Sequence, residues 1–499
     1  MLHIPESVQE RFDELQRKLV GQWETITVFH EAARALVVVP SLSGVDLPLT
    51  STKQQAYEER YLFLLFLLRQ PRAELIYVTS QPIEPSIVDY YLGLLPGVVA
   101  SHARRRLHLV TPRDASVRPL AAKLLERPRL LERIRTLVGD PEVAHLIPFN
   151  TTSLERDLSL RLGIPMYGAD PKHAVLGTKT GSRSLFAEAG VRHPEGREGL
   201  RSREELAEAV RSIISSRPDA EALVVKLEEG VAGFGNALLD VSGLTAESDA
   251  VESRLESLGS EYLERFEASG GVVEELIRAD EIRSPSVQMR VTPLGEVELL
   301  STHDQLLGGP DGLSFIGSIF PASEEYATEI TREALKIGEL LSARGVIGRF
   351  AVDFVTARAD GAWHPYAIEL NLRKGGTTHP YLTLQFLTGG AYDGDRGLFF
   401  TPAGQAKFFI STDRLESEGY RVLQPDDVFE LGVRERLHFD HTTQTGVVFH
   451  MLSTLSEHGL IGLTAVGDTR EQARSLFDAT RDAFDREAAA AAQDSDLPA

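Results

Sequence analysis

The stretch RFAVDFVTARADGAWHPYAIELNLRKGGTTHP, Arg349 to Pro380, is where two carboxylates, an amide and two arginines fall at spacings that let them converge. Apolar residues alternate from Phe350 to Thr356, Asp360-Gly361 supplies turn chemistry, and a second run extends from about Trp363 to Leu372; the pattern is that of a β-hairpin. Side chains on a strand alternate faces, so Glu369 and Asn371 share a face, roughly 7 Å apart, with Arg373 continuing the row. Arg349 and Asp353 share a face of the first strand. Asp353 sits opposite Glu369 only if the pairing is centred on Gly361, which requires an odd-numbered loop or a bulge rather than a two-residue turn. In that register three oxygen-bearing side chains meet, and carboxylate and amide oxygens are what Mg²⁺ takes beside substrate phosphates and water. Acids on strands ordinarily face solvent, but the flanking Ala351, Val352, Phe354, Ile368 and Leu370 are too apolar for an edge in water.

The whole chain sets bounds on this reading. Its 499 residues suggest about three domains of roughly 150 each. Acidic residues (73) outnumber basic ones (52), for a net charge of −21, which disfavours a nucleic-acid partner while leaving room for a local basic pocket that takes a small anion. With no cysteine, disulfides, thiolate metal sites and cysteine nucleophiles are excluded. The N-terminus lacks an apolar signal core and the longest apolar run, Tyr61 to Leu68, is too short to span a bilayer, so a cytoplasmic protein without membrane association is the expectation.

Outward from the hairpin, the first block alternates short apolar runs (Ala35 to Pro40, Glu74 to Ser80, Arg106 to Pro112, His145 to Asn150) with helical patterns near Lys53 to Arg69, Pro85 to Leu95 and Val117 to Val138. That alternation predicts a parallel sheet covered on both faces, with ligands beyond the strand carboxyl ends, where Ser41 to Gly44 and Thr79-Ser80 lie. Thr178 or Thr180 caps a helix ending at Gly190, with Lys179 near its start. Lys226 lies inside the apolar strand LVVKL, directly before the glycine-rich EEGVAGFGN, where Gly230, Gly233 and Gly235 let backbone N–H groups approach phosphate oxygens. A helix near Glu247 to Ser269 precedes the strand GGVVEELI, whose exposed backbone edge could read an adenine ring, while Glu281, seven residues after Glu274, could accept from ribose hydroxyls. Strands at Lys407 to Ser411, Gly446 to Leu452 and Leu460 to Val466, then a helix from about Thr469, complete the chain.

The succession LVVKL, glycine-rich hairpin, VVEELI with Glu281, VDFV and IELNLR resembles the ATP-grasp superfamily of carboxylate-amine ligases, over about Lys179 to Pro380. The resemblance implies an α/β fold: two α+β subdomains gripping ATP (169–395, with a lid near 195–277), a Rossmann-like pre-ATP-grasp domain before them (1–168) and a small α+β domain after (396–499). It implies that Lys179 and Lys226 bind nucleotide phosphates, that Glu274 belongs to the adenine hinge, that the backbone of Glu275, Leu276 and Ile277 meets adenine and that Glu281 holds ribose. It further implies that Asp353, Glu369 and Asn371 carry two Mg²⁺ ions, for which Mn²⁺ can substitute, and that Arg349 and Arg373 face an acyl-phosphate. The family arginine usually precedes its aspartate by two positions, whereas Arg349 precedes Asp353 by four, which keeps the face and changes the depth. The layout, with TGVVFHML and GLIGLTAVGDT at the C-terminal end, is most similar to pheganomycin-type peptide ligases.

The implied reaction joins a small carboxylate, an amino acid or short peptide, to an amine through an acyl-phosphate at the cost of ATP, in an enzyme for which a homodimer is one expected assembly. The hairpin Glu228 to Asn236 and the loop Gly308 to Gly317 are the expected lid. Two alternatives stand beside it: a thiol or bicarbonate acceptor in the same chemistry, and a nucleotide-binding regulatory protein without turnover. Four charged or polar groups at one point (Asp353, Glu369, Asn371, Arg373) exceed what binding alone needs.

Overall fold

A computed structural model describes residues 6–27, 32–45, 49–228, 235–248, 250–308, 312 and 314–495. Three sheets organise them. The first holds β1 (Arg34–Val39), β2 (Ala73–Val78), β3 (Leu107–Val110) and β4 (Ala144–Pro148) in the order β3-β2-β1-β4, all parallel. Every residue of β1 and β4 is buried, as expected for strands covered by helices on both faces. The helices differ from the sequence pattern where backbone chemistry intervenes. The run expected over Lys53 to Arg69 is α-helical only over Ser51–Glu59 and tightens to 3₁₀ over Arg60–Arg69. Pro128 starts a new helix (Pro128–Val138) within the expected Val117 to Val138. Likewise Gly259, at φ +88°, divides the expected Glu247 to Ser269 helix.

The second sheet comprises β5 (Gly196–Leu200), β6 (Ala222–Leu227), β7 (Asn236–Asp240) and β8 (Gly271–Glu275), ordered β5-β8-β6-β7 and antiparallel throughout. Its apolar face packs against the helices Arg203–Ser216 and Ser260–Ser269, burying Ile213, Val225 and Phe266.

The third sheet contains the hairpin. Its strands are β9 (Glu281–Arg283), β10 (Pro285–Val291), β11 (Val297–Gly308), β12 (Ser314–Phe320), β13 (Gly348–Ala359), β14 (Ala362–Asn371), β15 (Ala391–Asp393), β16 (Leu398–Phe400), β17 (Ala406–Glu416), β18 (Gly446–His450) and β19 (Leu460–Gly467). The helix Glu324–Ala343 covers one face through Ile330, Ala334, Ile337 and Leu341, which meet Val287, Met289, Phe350 and Val352. Helix and sheet approach so closely that a Cβ on Gly338 would lie 2.6 Å from Val297 Cγ1. The fold continues past the hairpin without a break: β17 pairs antiparallel with β12, and Phe409 stacks on Phe320 with ring centroids 4.8 Å apart. The residues expected as a separate domain from 396 onward therefore extend the same sheet. Among the described residues no helix is long and apolar enough to cross a membrane.

This continuity is testable by truncation. A chain ending at residue 395 exposes the β12 edge and the Phe320 face, and is expected to lose cooperative urea unfolding and to aggregate. A soluble truncated chain that melts at the full-length temperature would contradict the shared core.

Candidate active site

The β13–β14 hairpin closes on Asp360 and Gly361, both at positive φ (+52° and +78°), the signature of a two-residue type I′ turn. Such a turn alone would offset Asp353 from Glu369. A bulge between Asp353 and Phe354 shifts the register by one residue, with Ile368 as the extra position, and brings Asp353 directly opposite Glu369. Turn and bulge thus act together, where the sequence required an odd loop or a bulge. Asn371 Nδ2 donates to Asp353 Oδ2 at 3.1 Å, so the amide closes the row expected from strand periodicity.

The two carboxylates have unlike environments. Burial and the neighbouring Glu369 charge push Asp353 up to about 6, against an opposing hydrogen bond from Ser286, its cross-strand neighbour on β10. Burial also pushes Glu369 upward, but the charges of Lys179, Arg373 and Lys226 outweigh it, and its carboxyl lies below the usual range. Lys179 Nζ lies 2.7 Å from Glu369 Oε1. Its helix, Lys179–Glu188, is capped by Thr178, whose side chain accepts from Gly181 N. The Glu228 carboxylate occupies the same helix start, accepting from Thr180 N at 2.9 Å and from its hydroxyl at 2.7 Å.

Lys226 projects from β6 and pairs with Glu274 on β8. The other Glu274 oxygen accepts from Arg183 Nη1 at 2.9 Å. Sequence reasoning missed Arg183: it reads as one more polar position in GSRSLF, and only the approach of the helix to β8 buries it.

Lys226, Glu274, Asp353, Glu369 and Asn371 line one cleft of about 640 Å³ between the second and third sheets, floored by Ser286, Gln288, Ala351, Asp353, Glu369, Asn371 and Arg373, whereas Lys179, Arg183 and Glu228 lie outside that lining. Val224, Lys226, Glu274, Glu275, Leu276 and Ile277 form one end; Leu42, Val45, Tyr57, Arg60, Phe149, Asp413 and Arg414 form the other.

A family model described as IQCH-like, ATP-grasp matches residues 172–260 and 257–394, and one described as PGM1 C-terminal domain matches residues 427–480. The chain is 32% identical over 425 residues to an L-propargylglycine–L-glutamate ligase of Streptantibioticus cattleyicolor, covering 83% of this chain and 86% of that one. The chain belongs to the ATP-grasp family. It is also 26% identical over 420 residues to IQ motif-containing protein H of Danio rerio, a match that spans 71% of this chain and 39% of that protein. Among solved structures, an ADP complex of N5-carboxyaminoimidazole ribonucleotide synthetase aligns over 91% of this chain and 97% of its own (TM-score 0.53, 14% identity). Biotin carboxylase from Campylobacter jejuni aligns over 91% and 94% (TM-score 0.55, 12% identity). At those identities the likeness is one of fold.

Within this ATP-grasp frame, several residues singled out in the sequence lie apart from the cleft. Glu281 starts β9, which pairs with β13, and its carboxylate meets Arg358 Nη1 at 3.2 Å on the outer side. Its neighbours Ile282 and Arg283 both line the cleft. Arg349 stands opposite Arg290 on the far end of the floor row, outside the cleft lining, where burial and Arg290 both lower its pKa. The backbone of Glu275 and Leu276 is partly committed to its own sheet, their N–H groups donating to the Glu195 (2.8 Å) and Ala222 (3.4 Å) carbonyls. The Gly235 carbonyl accepts from Leu227 N at 2.9 Å and closes the β6–β7 hairpin, while Gly230 and Gly233 lie outside the described residues, as does part of each expected lid loop.

Of the first-sheet loop residues, Leu42 and Val45 reach the cleft. Ser43 instead donates to Glu155 (2.5 Å) and Ser80 to Glu58 (2.7 Å), so both hydroxyls serve their own sheet end. Arg373 lines the cleft with its guanidinium carbon 5.9 Å from the Phe149 ring centroid. Burial lowers its pKa, while Glu369 and Asp353 pull the other way.

The raised Asp353 value makes a signed prediction. Because the folded chain holds this proton more tightly than the unfolded one (about 3.9), the group's contribution is full below about pH 4 and lost as pH rises through about 6. In metal-free protein the loss amounts to about 3 kcal/mol from a shift of about two units. Urea unfolding of wild type and Asp353→Asn across that interval should show the extra decline only in wild type; parallel curves would remove the assigned environment.

Proposed function

We propose that this chain is an ATP-dependent carboxylate-amine ligase that joins an amino acid or short peptide acid to an amine through an acyl-phosphate. The observation that carries the proposal is the meeting of Asp353, Glu369, Asn371 and Arg373 on the floor of a cleft that also receives Lys226 from the facing sheet. The similarity to a ligase named for two amino-acid substrates supports the same substrate class here.

In this reading the nucleotide base lies toward Leu276 and Ile277, and the phosphates run along Lys226 toward Glu369, with Lys179 behind that carboxylate. Lys226 is held ready by Glu274, itself fixed by Arg183, so little side-chain freedom is lost when a phosphate arrives. Two carboxyls forced together, one of them driven up to about 6, form an oxygen donor set suited to a hard dication. Asp353, Glu369 and Asn371 would hold Mg²⁺, as one or two ions, which supplies charge neutralisation between β- and γ-phosphoryl oxygens when bound.

The acid enters at the end lined by Arg60, Thr377 and Arg414. Its oxygen attacks the γ-phosphorus and the bond to the β-bridging oxygen breaks, giving acyl-phosphate and ADP. The amine nitrogen then attacks the acyl carbon, the carbon–oxygen bond to phosphate breaks, and the nitrogen releases a proton. Arg373, fixed charge in a buried wall, faces the oxyanion that develops between these events.

Glu369→Gln and Asn371→Asp are expected to fold but to lose Mg²⁺-dependent ADP formation by about 100-fold or more. Unchanged turnover in both variants would end the metal assignment. A mass-spectrometric screen of amino-acid pairs with ATP and Mg²⁺ should give condensed masses together with ADP, and only when acid and amine are both present. ADP formation indifferent to either substrate would exclude the ligase.

A further inference from the structure

Three side chains with no part in that reading converge beside the acid end of the cleft. They are His379, second residue of the helix Thr378–Thr388, Asp413 in β17 and His450, last residue of β18, and all three are buried. Their polar atoms close a triangle: Asp413 Oδ1 lies 2.9 Å from His450 Nε2 and 3.2 Å from His379 Nε2, and the two nitrogens are 3.1 Å apart.

Hydrogen bonds alone leave this triangle frustrated. A carboxylate oxygen only accepts, so each imidazole needs its proton on Nε2 to bond Asp413, and the two N–H groups then face each other. If either imidazole carries its proton on Nδ1 instead, a bare nitrogen faces a bare carboxylate oxygen. Ligation through Nε2 uses that same Nδ1–H tautomer, so a cation would stand between the bare atoms, while the His379 Nδ1 keeps no hydrogen-bond partner among the described residues. An ion resolves all three contacts at once, since donors 2.9–3.2 Å apart can each lie about 2.0–2.2 Å from a metal seated just off their plane.

We propose that His379, Asp413 and His450 form a second metal site, distinct from the acidic hairpin, for a transition-metal dication of the zinc class. Two imidazoles and one carboxylate suit zinc or cobalt, whereas Mg²⁺ takes oxygen ligands. Arg60 Nη1 donates to the remaining Asp413 oxygen, Oδ2, at 2.5 Å, the outer contact that orients a ligating carboxylate. Arg60 and the ion together outweigh one carboxylate, so the open coordination position favours an anionic ligand such as hydroxide or a substrate carboxylate. Asp413 forms part of the cleft wall, which gives the ion a route of entry.

The test uses the full chain without a histidine tag, dialysed against Zn²⁺ or Co²⁺ with Mg²⁺ in excess to occupy the hairpin site. Wild type should retain about one Zn²⁺ after desalting and show the visible absorption of low-coordinate Co²⁺. Glu369→Gln should keep that ion and His450→Ala should lose it. Equal retention by wild type and His450→Ala, or no bound ion in wild type, overturns the proposal. Should His450→Ala fail to fold, His450→Cys decides: the chain has no cysteine of its own, so a thiolate-to-cobalt charge-transfer band can come only from position 450. Its appearance supports the site and its absence overturns it.

Discussion

Repulsion between Asp353 and Glu369 is the constraint around which the rest of the structure is arranged. Two acids placed directly across a hairpin oppose folding unless something offsets their charge, and the surrounding elements each contribute to that offset. Lys179 comes from a helix start, Lys226 from the facing sheet, Arg373 from the residues after β14, and the Asn371 amide bonds Asp353. The compensation is uneven, and this asymmetry leaves Asp353 able to release a proton near neutral pH while Glu369 stays charged. A site that carries unrelieved negative charge is poised to take up a cation; one fully neutralised by its own side chains is not.

The supporting cations are themselves supported. Arg183 and Lys226 divide the two oxygens of Glu274, and Glu228 returns from the end of β6 to the start of the Lys179 helix. Such relays fix the charged groups before any ligand arrives, so ligand binding does not have to order them. Their cost is burial of several ions at once, which is tolerable only because each is paired.

Local chemistry made the hairpin legible. Alternation, Asp360-Gly361 and the parity of Asp353 against Glu369 together demanded an irregular pairing, and a bulge supplies it. The strand pair β6–β7 and the parallel first sheet were legible for the same reason. What escaped depended on contacts distant in sequence. Arg183 meets Glu274 across 91 positions and Arg60 meets Asp413 across 353, and no periodicity encodes either. Glu281 likewise pairs with Arg358 across 77 positions, a contact that its spacing from Glu274 does not encode. Only the family resemblance sets the residues after 395 apart, and the pairing of β17 with β12 is a contact distant in sequence that the resemblance does not carry.

The two lysines sit on different bodies: Lys226 on the small four-stranded sheet, Lys179 behind the floor of the large one. On the proposed ligase reading, a polyanion that drew on both would tether them, and its loss of one phosphoryl group would slacken that tether.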